Sequence, residues 1–233
     1  MQIIGILLIA FLLPFPMFSQ RYTQEQVKED LEYLIKQIEI YNPALEAYNP
    51  NFKSEADRIV NSIEGGFSTF ELFQRISEIA TLSNEGHFSL GTWEDEAHKG
   101  LLDGKLKYMP LAPHVLNGRI YVWDVLTDGD SFRRGDEILE INGKSAQKIL
   151  KILYRYTPAD GGILTYKEAQ LSKGFAWMYF LYVEQPEDFE VKLKKFKTGE
   201  VTLVKCSAAT TEQRNSMKKL DPNAEEPKES KDQ

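Results

Sequence analysis

The chain has 233 residues, with 28 Lys and Arg against 35 Asp and Glu, a formal charge of −7; 42% of it is hydrophobic and 27% charged. That balance excludes a wholly disordered chain or a fibrous repeat, and an acidic sum without a basic block argues against nucleic acid as a partner. The single cysteine, Cys206, excludes a disulfide framework and a multi-cysteine zinc site.

Residues 1–20 carry no charge, and the apolar run from Ile3 to Leu13 has the length of a secretory h-region. It is short for a membrane span, which needs about 20 apolar residues, and Pro14 and Pro16 follow it. The segment reads as a signal peptide cut near Ser19 or Gln20, with an uncleaved amino-terminal anchor as the alternative. A secreted or periplasmic protein without an integral span after cleavage is therefore expected.

From Thr23 the period is helical. Thr23 and Gln26 fit a capping box, and Val27, Leu31, Leu34, Ile35 and Ile38 recur at three-to-four spacing until Asn42-Pro43. A second helix is expected over 52–64, with Phe52, Ala56, Ile59, Val60 and Ile63 on one face. A third opens at the Ser68/Glu71 capping box, with Phe70, Phe73, Ile76 and Ile79 inward. Three short amphipathic helices bury a common core only by packing together, so residues 21–104 read as a helical domain.

Strands follow. Lys107–Leu111 is a short apolar stretch, Arg119–Trp123 follows the Asn117-Gly118 turn, and 135–143 ends in a second Asn-Gly turn. Ser145 caps a helix carrying Ile149, Leu150 and Leu153. The stretch 164–183 reads as an aromatic-rich helix, and Phe189–Phe196 and Val201–Cys206 as two more strands. Trp123, Trp177, Tyr179 and Phe180 read as core. Residues 208–233 have hardly an aliphatic side chain and are expected to be a disordered polar tail.

The segment 134–144, with Gly135-Asp136-Glu137-Ile138 and Ile141-Asn142-Gly143, is similar to the GDxIxxING core of PDZ domains. Upstream, Asn84-Glu85-Gly86-His87-Phe88 resembles the Asp-Gly-His-Thr motif of the tail-specific, or carboxy-terminal-processing, serine peptidases. Asn42-Pro43, Lys107-Tyr108-Met109-Pro110-Leu111, Ala159-Asp160-Gly161 and Glu184-Gln185-Pro186 extend the resemblance over residues 23–206. It implies an α+β chain: an amino-terminal three-helix domain, then a PDZ-like, partly open β-barrel with helices over 105–207. In that family the nucleophilic serine and its lysine lie in a further α/β domain, and no segment here resembles it.

The resemblance makes His87 a candidate general base, with packing against backbone as the bland reading; Glu85 and Phe88 stand where the motif has Asp and Thr. An imidazole suits the role because its ordinary pKa lies near neutrality. Tyr108, Met109, Leu111, Ile149 and Leu153 are candidates to line a peptide groove, with core packing as the competing reading. Glu85, His87, Glu94, Asp95, Glu96 and His98 crowd one stretch, but the spacing matches neither a helical zinc pair nor a calcium loop. No metal and no cofactor are expected.

The expected function is the non-catalytic, substrate-handling part of a secreted tail-specific serine peptidase-like protein. Its partner would be a polypeptide substrate or chain terminus, with a separate catalytic domain needed for activity. A stand-alone peptide-binding adaptor or inhibitor module, and an active peptidase with an unrecognised nucleophile, are the alternatives.

Overall fold

The computed structural model describes residues 21–88, 106–125 and 131–220. The expected signal peptide, the acidic residues Glu94, Asp95 and Glu96 with His98, and the tail beyond 220 lie outside them. The described chain is α+β, a helical unit followed by a sheet unit.

The helical unit holds α1 (Gln24–Tyr41), α2 (Leu45–Tyr48), α3 (Phe52–Asn61) and α4 (Thr69–Leu82), with the two-residue strands β1 (Arg21–Tyr22) and β2 (Phe67–Ser68) paired antiparallel. Both capping boxes form. Thr23 Oγ1 accepts from Gln26 N while Gln26 Oε1 accepts from Thr23 N, and Ser68 and Glu71 repeat the exchange. Each such cap contributes about 1 kcal/mol. Asn42 takes an extended conformation (φ −99°, ψ 96°), as the residue before proline must, and stops α1. Helix α3 stops three residues before the expected 64, where the Ser62 hydroxyl donates to the Ile59 carbonyl. Val27, Leu31, Ile35, Phe52, Ala56 and Ile79 are at most 2% exposed and make one core.

The sheet unit is built on β4 (Leu111–Leu116), β5 (Arg119–Val125), β6 (Glu137–Ile141), β8 (Asp188–Lys194) and β9 (Val201–Ser207), antiparallel in that order, with β7 (Lys144–Ser145) paired to β6. The expected partly open barrel is an open sheet: β4 and β9 are its edges. Asn117 and Gly118, then Asn142 and Gly143, have φ between 48° and 73°, the left-handed pair that tight hairpins require. Lys107–Leu111, expected as one strand, is broken at Met109-Pro110, leaving β3 (Lys107–Tyr108) apart from β4.

Two helices cover the sheet. Helix α5 (Ala146–Tyr154) starts at the Ser145 cap, and α6 (Leu164–Tyr182) runs along β4 with a non-helical break at Gly174. Between the helices and the sheet lies the larger core, including Met109, Leu111, Ile120, Ile138, Ile149, Leu153, Phe175 and Tyr179. Trp177 and Phe180 pack partly buried against it, but Trp123, expected inside, is 47% exposed, with the Arg134 guanidinium 4.8 Å from its ring centre.

The expected disordered tail is corrected at its beginning. Ala209 and Thr210 form β10, paired with β3, and α7 (Thr211–Leu220) follows. Ala209 is 3% exposed, and Thr210 with Gln213 makes a third reciprocal cap, so this polar helix is held by its amino-terminal end.

Candidate functional site

The two units meet along α4 on one side and Tyr156–Pro158 with α6 on the other, and a cleft of about 580 Å³ lies between them. Its closed end is stitched by side chains. The Tyr156 and Tyr182 rings stack 3.9 Å apart, the Tyr182 hydroxyl donates to Ser77 Oγ at 3.0 Å, and Gln74 donates to the Leu181 carbonyl. Glu78, 6% exposed, accepts from Arg75 at 2.9 Å and from Arg155 of the other unit. Burial of Tyr182 pushes its phenol up to about 12, so it stays a donor.

The walls are aromatic and apolar, with Phe73, Phe88, Tyr166, Trp177 and Met178, and the polar groups Gln170, Lys173 and His87 enter among them. Such a mixture offers a bound molecule apolar surface together with a few hydrogen-bonding groups.

His87 stands in the loop after α4. Asn84, at φ 51°, turns the chain; its carbonyl accepts from Gly161 N at 2.9 Å, and Asp160 Oδ1 accepts from Gly86 N at 2.6 Å. The loop is thus pinned to the segment following α5. Glu85 Oε1 lies 3.1 Å from His87 Nδ1 and accepts the His87 backbone N–H at 3.2 Å. A carboxylate there accepts a proton held on Nδ1, and in that tautomer Nε2 is the proton acceptor. The imidazole is 91% exposed, so Nε2 is open to a reacting group brought to the cleft.

Of the hydroxyl groups that line the cleft, Ser77 is the serine. It donates to the Phe73 carbonyl at 2.8 Å and accepts from Tyr182, which leaves no bond to an imidazole. Among the described residues no serine hydroxyl is bonded to a histidine ring. An unactivated hydroxyl is a weak nucleophile.

The five groove candidates fall elsewhere. Met109, Leu111, Ile149 and Leu153 are at most 1% exposed and Tyr108 is 9% exposed, all within the larger core. All five are covered by the helices and the sheet rather than open to a groove.

Sequence reasoning missed Asp160 as a site residue, because 74 positions separate it from Gly86. Glu85, His87 and Asp160 bring one ligand atom each within 4.8 Å of one another, a set that could hold a divalent ion such as zinc. Of the stretch considered for metal in the sequence, Glu85 and His87 are present in this set.

No protein-family model matches the sequence, and no curated protein matches it. Solved structures do. Mature CPAF superposes with a TM-score of 0.58 at 14% identity, over 79% of this chain and 34% of that one. A serine-to-alanine mutant of CPAF gives 0.56 at 15% over 80% and 34%, and mature CPAF complexed with lactacystin gives 0.56 at 17% over 79% and 35%. CPAF is a Chlamydia serine protease resembling the tail-specific proteases. The likeness is one of fold, and this chain spans about a third of the CPAF chain.

Proposed function

We propose that this chain is the substrate-handling, amino-terminal part of a tail-specific serine peptidase-like protein that is secreted or periplasmic. In this reading the helical unit and a PDZ-like sheet unit hold a polypeptide between them. The observation that carries it is the placement of His87 at an aromatic cleft between two units, with Nδ1 beside Glu85 and Nε2 without a partner among the described residues. The fold shared with a serine protease supports it.

His87 then acts as a base only when a nucleophilic hydroxyl from outside the described residues is brought to Nε2. Glu85 holds the ring, the Gly86–Asp160 bond holds the loop, and the apolar walls exclude water from the bound chain. Ser77, engaged on both sides, takes no part.

Treating the purified chain with a fluorophosphonate probe tests the non-catalytic assignment. No serine is expected to label; stoichiometric labelling of one serine, lost in the His87→Ala variant, would show instead an active peptidase complete in this chain.

A further inference from the structure

Strand β4 is an edge of the sheet. Among the described residues strand β5 takes one side and no strand takes the other, and such an edge ordinarily offers its N–H and C=O groups to an added strand. Here helix α6 takes the donors. Ser172 Oγ accepts the Val115 N–H at 2.9 Å and donates to the Glu168 carbonyl at 2.8 Å. One turn earlier, the Glu168 carboxylate accepts the Asn117 N–H at 3.0 Å and the Gly118 N–H at 2.7 Å, and the Tyr154 hydroxyl donates to it at 3.2 Å. Pro113, two residues before Val115 on the same outward row, has no N–H to offer.

Glu168 is 5% exposed, and among the described residues no Lys or Arg bridges it. A buried carboxylate held by two consecutive amides of a left-handed turn and a phenol occupies a nest suited to an anion. The segment bearing it has a joint at each end. Gly161 and Gly162 have φ of 56° and 75°, and Gly174 interrupts α6 at φ −129°, ψ 20°, with nothing within 4 Å of where a Cβ would stand. The other face of the segment, Tyr166, Gln170 and Lys173, lines the cleft.

We propose that Leu164–Lys173 is an autoinhibitory strap: Glu168 stands where the terminal carboxylate of an extended polypeptide would sit, and swinging about Gly174 opens the β4 edge to such a chain. Because the strap's two faces serve the edge and the cleft, a chain that fills the cleft bears on the helix that guards the edge. The inference goes beyond the cleft reading and requires neither His87 nor a nucleophile.

Hydrogen exchange on the full chain tests it, together with fluorescence anisotropy of a fluorescein-labelled random decapeptide pool bearing a free carboxylate, and of the same pool amidated. Glu168→Gln and Ser172→Ala are expected to speed exchange at 115–118 about tenfold, the loss of a charge-assisted bond. Glu168→Gln should also bind the free-carboxylate pool about tenfold more tightly than the unaltered chain, and the amidated pool no better. Gly174→Ala, which meets no clash, should slow the same exchange by stiffening the joint. Unchanged exchange in both strap variants overturns the proposal, as does equal binding by the unaltered chain, or fast exchange with no binding. Should amides 138–141 show that both strap variants unfold, Gly174→Ala alone decides, and unchanged exchange in it refutes the strap.

Discussion

The Asp160 carboxylate accepts the Gly86 N–H at 2.6 Å, a bond from the sheet unit to the loop that carries His87. A Cβ at Gly86 would stand 2.9 Å from that oxygen and 3.3 Å from the Asp160 backbone nitrogen. Gly86→Ala therefore has to push the carboxylate off its bond. The expected loss is about 1–2 kcal/mol in urea unfolding, with a shift in the His87 ring proton resonances. A variant as stable as the parent, with those resonances unmoved, shows that the loop does not depend on this bond.

Glu78 offers a test of the junction between the units. It is nearly inaccessible, while Arg155 and Arg75 reach water, with side chains 55% and 37% exposed. Glu78→Ala leaves two arginines that solvent can still satisfy, so the cost falls below that of a fully buried pair, at about 1–2 kcal/mol. Urea unfolding followed separately by a tryptophan of the sheet unit and by helical circular dichroism should split into two transitions. A single transition at the original midpoint would mean the ion pairs do not couple the units.

Legibility of this chain followed the range of the physics. Capping boxes, the stop before Pro43 and both Asn-Gly turns are decided within a few residues, and each appeared where the sequence put it. Tyr108, Met109, Leu111, Ile149 and Leu153 show the limit: a groove wall and a core wall both need apolar side chains at the same period, so the pattern says which face but not what covers it. Asp160 and Glu168 act across 74 and about 50 positions, on backbone amides that carry no side-chain signature. Helix α7 was missed for the opposite reason. Its composition is polar but for Met217 and Leu220, although Thr210 and Gln213 spelled out its cap.

That cap gives the next expectation. Thr210→Ala removes the acceptor for Gln213 N and should cost about 1 kcal/mol of local stability in α7. Amide exchange at 213–216 should quicken while the sheet amides stay unchanged. If exchange there is already at the unprotected rate in the parent, the helix is not held in solution.

Cys206 supplies a dependence on pH. Burial pushes its thiol up to about 11 from an ordinary value near 9, and Asp188 adds to the shift. The fold therefore favours the protonated thiol. Its contribution is whole below pH 9, and it is lost as pH rises through 11, because the unfolded chain ionises first. The urea midpoint should fall between pH 9 and 11, and Cys206→Ser should flatten that fall. At pH 8 the thiol should react with an alkylating reagent well below the rate of a free cysteine, and reaction at the free rate would contradict the burial.

The tautomer of the Glu85–His87 pair can be read directly. With Glu85 accepting at Nδ1, the proton of the neutral ring resides on Nδ1 and Nε2 bears the lone pair. Free imidazole side chains in water favour the opposite arrangement, so the carboxylate has to impose this one. Long-range nitrogen–proton correlation at a pH where the ring is neutral should assign Nδ1 as the protonated nitrogen in the parent. Glu85→Ala should move the proton to Nε2, whereas Glu85→Gln, which can still accept through its amide oxygen, should retain part of the original population. Since the ring is almost wholly exposed, water competes for both nitrogens. If the parent already shows the free-imidazole tautomer, Glu85 does not orient the base, and the case for His87 as a proton acceptor in this cleft fails with it.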